Sequence, residues 1–134
     1  MSRIKQVEIE DKISKSKLDG VDYPVFCFKH LQENSLKSCR DVEFLIKFLF
    51  RLRRLCQLGW KEIKTSPKHS FGTEQLNISQ IKPTNKPAIL TPDVKKLTVF
   101  RATGDNHAFL GIIKEPIFHV IYIEAVFGDI YDHS

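Results

Sequence analysis

Three short runs near the C-terminal end constrain this chain more than any other feature. Leu97-Thr98-Val99-Phe100-Arg101-Ala102, His107-Ala108-Phe109-Leu110-Gly111-Ile112-Ile113 and Ile117-Phe118-His119-Val120-Ile121-Tyr122-Ile123 are rich in β-branched and aromatic residues and bounded by turn formers, the pattern of strands. Thr103-Gly104-Asp105-Asn106 joins the first two as a hairpin, because Gly, Asp and Asn tolerate positive φ, and Lys114-Glu115-Pro116 joins the second two. An antiparallel meander is expected. Strict alternation puts Ile117, His119, Ile121 and Ile123 on one face of the third strand, and Phe118, Val120, Tyr122 and Glu124 on the other. Both faces are partly apolar. One is expected to pack under helices and the other to form a half-open surface around His119.

The chain upstream supplies the cover. Tyr23-Pro24-Val25-Phe26-Cys27-Phe28 reads as a strand, with Pro24 at its start or on an edge. Ser38-Cys39-Arg40-Asp41 predicts a helix start, with Ser38 as the cap and Asp41 at the positive end of the helix dipole. Phe44, Leu45, Phe48, Leu49, Leu52, Leu55 and Cys56 then recur at helical spacing to about Leu58, with Leu49 and Leu52 expected against the sheet and Lys47, Arg51 and Arg54 opposite. Gly59 breaks this helix, and Trp60 and Ile63 share a face of a second, short one that Pro67 ends. Glu74 opens a further strand with Leu76 and Ile78 on one face. Gly72 is expected at a bend, with positive φ or a close backbone approach. The proline-rich connector 82–92 reads as an exposed excursion.

Residues 23–134 are therefore expected to form one α+β domain: an antiparallel-dominated sheet of four to five strands with one long and one short helix on one face. Residues 1–22 form a charge-dense arm, either loosely ordered or laid on the sheet as an edge strand through Val7 and Ile9. The apolar run from Val42 to Leu58 is interrupted by Lys47, Arg51, Arg53 and Arg54, so no membrane span is expected. The first residues hold no apolar stretch of a secretory signal, and a cytoplasmic location is expected. Cys27, Cys39 and Cys56 are an odd number at wide spacing, which suits reduced thiols. A net charge of +5 favours an anionic partner such as nucleic acid.

The element order, the basic balance and the polar residues set late on the sheet resemble the RelE/ParE-type toxin fold. Locally, Trp60-Lys61-Glu62-Ile63, Lys68-His69-Ser70-Phe71-Gly72-Thr73-Glu74, Phe118-His119-Val120-Ile121-Tyr122-Ile123 and Tyr131-Asp132-His133 resemble small bacterial or phage proteins of that type. The resemblance covers roughly residues 23–133. It implies a ribonuclease of a toxin–antitoxin pair and a protein antitoxin as partner. The C-terminal end, with Asp129, Asp132 and His133, departs from the strongly basic tail of ribosome-dependent members.

RNA cleavage without a metal needs a base for the 2′-hydroxyl, an acid for the leaving 5′-oxygen and a cation for the charged phosphorane. His69 and His119 are expected as the acid/base pair, Glu74 as an alternative base and Arg101 with Lys68 as the phosphate clamp. Lys64, Tyr122 and Tyr131 are expected to bind RNA, the tyrosines by stacking or hydrogen bonding to a base. Each residue also has a structural role open to it. His119 fits a hydrogen-bonded core histidine, Arg101 fits a partner of a carboxylate such as Glu124, and Glu74 fits an ion pair with Lys68. No metal or other cofactor is expected, since His69, Glu74, His119 and His133 follow no ligand spacing. The alternative function is a non-catalytic module that holds a protein on an exposed sheet face or edge.

Overall fold

The meander forms as the sequence predicts, and two more strands flank it. The computed structural model describes residues 18–68 and 70–133. Its strands are β1 (Val25–Cys27), β2 (Glu74–Asn77), β3 (Lys96–Arg101), β4 (Ala108–Lys114) and β5 (Ile117–Ile123), and its helices are α1 (Glu33–Ser38), α2 (Val42–Leu58) and α3 (Trp60–Thr65). The sheet order is β1-β5-β4-β3-β2. All pairings are antiparallel except that of β1 with β5, which is parallel, so the α+β sheet is mixed. The expected edge strand through Val7 and Ile9 lies outside the described residues.

The first helix boundary differs from the sequence reading. Ser38 ends the short α1, where its hydroxyl donates to the Ser35 carbonyl (2.8 Å). Asp41 is the cap of α2: its carboxylate accepts the Glu43 N–H at 2.9 Å and the Phe44 N–H at 3.4 Å, satisfying amides the helix leaves unpaired. The Ser35 hydroxyl accepts the Ile123 N–H (3.1 Å), tying α1 to the end of β5.

Two apolar layers sandwich the sheet. On one side Phe44, Phe48, Leu52 and Leu55 of α2, with Trp60 and Ile63 of α3, pack on Phe100, Phe109, Phe118, Val120 and Ile123. The Trp60 indole N–H donates to the Pro116 carbonyl (3.0 Å), so the ring is buried without an unpaired donor. On the other side Leu97, Val99, Ala108, Leu110, Ile121 and Tyr122 lie under Ile81, Ile89 of the connector, and Ile130 and Tyr131 of the C-terminal segment. The half-open face expected around His119 is thus closed. The connector, read as an exposed excursion, buries Ile89 as part of that closure, beside Ile81 just ahead of it.

Strict alternation fails once, in β5. Leu110 faces Tyr122 while Gly111 faces Val120, so Ile121 is an extra residue at a bulge. The backbones close in here. A Cβ on Gly111 would stand 1.8 Å from the His119 carbonyl oxygen. Beyond the bulge the parity is reversed: Ile123 joins Phe118 and Val120 on the helix side, and Tyr122 joins Ile121 on the other.

Candidate functional site

The reversed parity carries Glu124 to the same sheet face as Arg101. Arg101 pairs in register with Ala108, and the Glu124 N–H donates to the Ala108 carbonyl (2.8 Å), so the three stand in one row across β3, β4 and the end of β5. Glu74 opens β2 opposite Val99, on that face and one step along from Arg101. Ala108 is small. It leaves room between Arg101 and Glu124 for Tyr131, which packs in the same cluster.

Side-chain contacts join these residues. An Arg101 guanidinium nitrogen lies 3.6 Å from a Glu74 carboxylate oxygen, and the Lys68 ammonium lies 3.5 Å from the other. Arg101 also donates to the Asn106 carbonyl (3.4 Å). His133 Nε2 lies 2.8 and 2.9 Å from the two oxygens of Glu124, whose side chain is fully buried, and the Gly128 N–H donates to the second oxygen (3.1 Å). The His133 ring lies tilted against Phe127 (centroids 4.2 Å, 30° between planes) and Tyr131 (4.1 Å, 31°). Burial, reinforced by the Glu74 and Glu124 carboxylates against an opposing Arg101, pushes the Tyr131 hydroxyl up to about 12. That phenol therefore stays protonated at neutral pH, under the influence of both carboxylates.

The loop that brings Lys68 to Glu74 is held from below. Arg51 of α2, expected on a solvated face, donates to the Ser70 carbonyl and lies over the Phe71 ring at 4.3 Å. The Ser66 hydroxyl accepts the Phe71 N–H (3.1 Å). Gly72 is required by close approach and not by positive φ: a Cβ there would lie 2.1 Å from the Ser66 carbonyl oxygen.

Of the residues singled out from the sequence, Lys68, Glu74, Arg101 and Tyr131 converge, whereas Lys64, His119 and Tyr122 do not. His69 lies outside the described residues. His119 shares Arg101's face by parity but pairs with Ile112, four residues along β4 from Ala108, about 13 Å away along the strand. It is 6% exposed, its ring centroid 5.7 Å from that of His30, which places it in the core and outside the cluster. Lys64 pairs with Glu115 at the β4–β5 turn, the far end of β4. Tyr122 is buried to 1% exposure, so its ring has no face for a base; burial also raises its hydroxyl. Tyr131, 5% exposed and with His133 against its ring, offers no open face to a base either. Arg101 takes Glu74 as its partner where the sequence suggested Glu124.

Sequence reasoning missed the Glu124–His133 pair as part of the site. The signal was a carboxylate directly after seven strand residues and an imidazole nine residues on, but only the bulge sets Glu124 beside Arg101. Among the described residues no group of His, Cys, Asp and Glu is placed to hold a metal ion, and no helix is long and apolar enough to cross a membrane. No family model, curated protein or solved structure matches the chain.

Proposed function

We propose that this protein cleaves RNA without a metal, at the cluster of Glu74, Lys68, Arg101 and His133. The observation that carries the reading is the row from Glu74 through Arg101 to Glu124, with His133 on Glu124. It gathers a carboxylate, two cations and an imidazole at one end of the sheet. Glu74 takes the proton of the 2′-hydroxyl, the 2′-oxygen attacks phosphorus, and the bond to the 5′-oxygen breaks to leave a 2′,3′-cyclic phosphate. Arg101 and Lys68 turn from Glu74 to the phosphate and stabilise the phosphorane, which frees the carboxylate as a base. His133 acts as the imidazolium: its Nε2–H stays with Glu124 and its Nδ1–H passes to the leaving 5′-oxygen, which departs as a hydroxyl and leaves His133 neutral. Tyr131 packs in the same cluster. The toxin–antitoxin setting carries over from the resemblance to RelE/ParE-type proteins and adds a protein antitoxin as partner.

The test is incubation with RNA in excess chelator, followed by analysis of the product ends. Cyclic phosphate ends are expected. Glu74→Gln, Arg101→Gln and His133→Gln should each lower the rate by about two orders of magnitude or more, with the circular dichroism spectrum unchanged. Glutamine at 133 keeps an N–H donor for Glu124 while removing the titratable nitrogen. Unaltered cleavage in Glu74→Gln or His133→Gln, or products with 3′-hydroxyl ends, would overturn the reading.

A further inference from the structure

Helix α2 is apolar on two sides, and the sheet uses only one of them. At 100° per residue, Phe44, Phe48, Leu52 and Leu55 form the arc against the sheet. Val42, Ile46, Leu49 and Phe50 form a second arc facing solvent, 67%, 50%, 64% and 58% exposed. Their spacing of four, three and one is that of a seam along which one helix packs on another. Arg53 extends the stripe, its guanidinium 5.0 Å from the Phe50 ring centroid. The stripe spans eleven residue steps, roughly 16 Å of helix.

Charge along α2 is polarised. Asp41 and Glu43 stand at its N-terminal end, and Arg53 and Arg54 near its C-terminal end. A second α2 laid antiparallel on the stripe would bring opposite charges together at both ends, whereas a parallel one would align like with like. We propose that the stripe docks a second copy of this chain, as a two-fold symmetric antiparallel α2 pair centred between Ile46 and Leu49. In that arrangement Ile46 meets Leu49 and Phe50 of the second copy, Arg53 meets Glu43, and symmetry repeats both contacts. The helix dipoles also run opposite ways. The one ion pair Glu43 forms within the helix, with Lys47 at 3.1 Å, is exposed on both sides and readily exchanged. An anionic lipid surface fits less well, because Asp41 and Glu43 flank one end of the stripe. Four apolar side chains per copy make a small interface, so the dimer is a weak one with a dissociation constant in the micromolar range.

Sedimentation equilibrium of the full chain from about 1 to about 300 μM, spanning that range, tests this. The expected result is a rise from monomer to dimer mass, abolished by Leu49→Glu with the thermal midpoint unchanged. Arg53→Glu and Glu43→Arg should each weaken association about tenfold, and an equimolar mixture of the two variants should restore it, because the mixed pair has opposite charges at both ends. A monomer mass at every concentration, a dimer that Leu49→Glu leaves intact, or a mixture no tighter than its components would overturn the proposal. Retention of the chain on phosphatidylglycerol vesicles that Leu49→Glu abolishes, without any dimer, would overturn it in favour of a lipid surface.

Discussion

A phenol packed between two carboxylates in a dry setting holds its proton more tightly than one in water, and Tyr131 is such a phenol. The folded state therefore binds this proton up to about 12, whereas the unfolded chain releases it near the ordinary value of 10. Between those limits the folded state carries more protons than the unfolded one, so the stability this group contributes is complete below pH 10 and is lost as pH rises towards 12. Tyr131→Phe should flatten that part of the unfolding free energy plotted against pH. The comparison with the unsubstituted chain removes the other groups that titrate in the same window, and an unaltered slope would show that Tyr131 is not buried beside Glu74 and Glu124. At this scale Lys68, Glu74 and Arg101 were legible because each is a charged residue at a strand end or in a loop, where full burial is uncommon; Glu124 is the exception. His119 and Tyr122 misled. Whether a polar residue inside an apolar strand lies open depends on what covers the sheet, and that cover is two irregular segments without periodicity.

An element can satisfy its hydrophobic pattern in more than one way, and α2 shows the consequence. Its spacing predicts a helix, yet Phe44, Phe48, Leu52 and Leu55 are buried while Leu49 is 64% exposed. Leu52→Ala should cost about 2–5 kcal/mol by leaving a cavity against the sheet, and Leu49→Ala less than about 0.5 kcal/mol at micromolar protein. Urea unfolding of the two variants side by side separates them; equal losses would mean the helix is rotated from the orientation described. Periodicity fixes the existence of a helix and its apolar arcs, but when a chain carries two arcs it does not rank them. The strands tell a parallel story. Their limits were legible to within two residues from composition and turns, whereas the bulge at Ile121, where Gly111 approaches the His119 carbonyl across two strands, was not.

At the scale of the whole molecule, regular helices cover one side of the sheet, and two loop segments cover the other by holding each other. The Lys82 N–H donates to the Ile130 carbonyl (2.7 Å), and its ammonium donates to the Gly128 carbonyl (2.6 Å), which binds the connector to the C-terminal segment. The anchor of that segment on the sheet is Glu124, a fully buried carboxylate closed by His133 and the Gly128 N–H. Removing one partner of a buried pair is costlier than removing both, because the charge left behind keeps its desolvation penalty without its compensation. His133→Ala should therefore cost about 3–5 kcal/mol, and adding Glu124→Gln in the same chain should recover a large part of that loss. Hydrogen exchange should locate the damage: amides of 82–90 and 125–133 become faster in His133→Ala, while those of β3, β4 and β5 keep their order of protection. If the two substitutions simply add, or if exchange rises first under α2, the pair does not fasten the second cover. The site built on Arg101, Tyr131 and Glu124 would then owe its shape to the sheet alone.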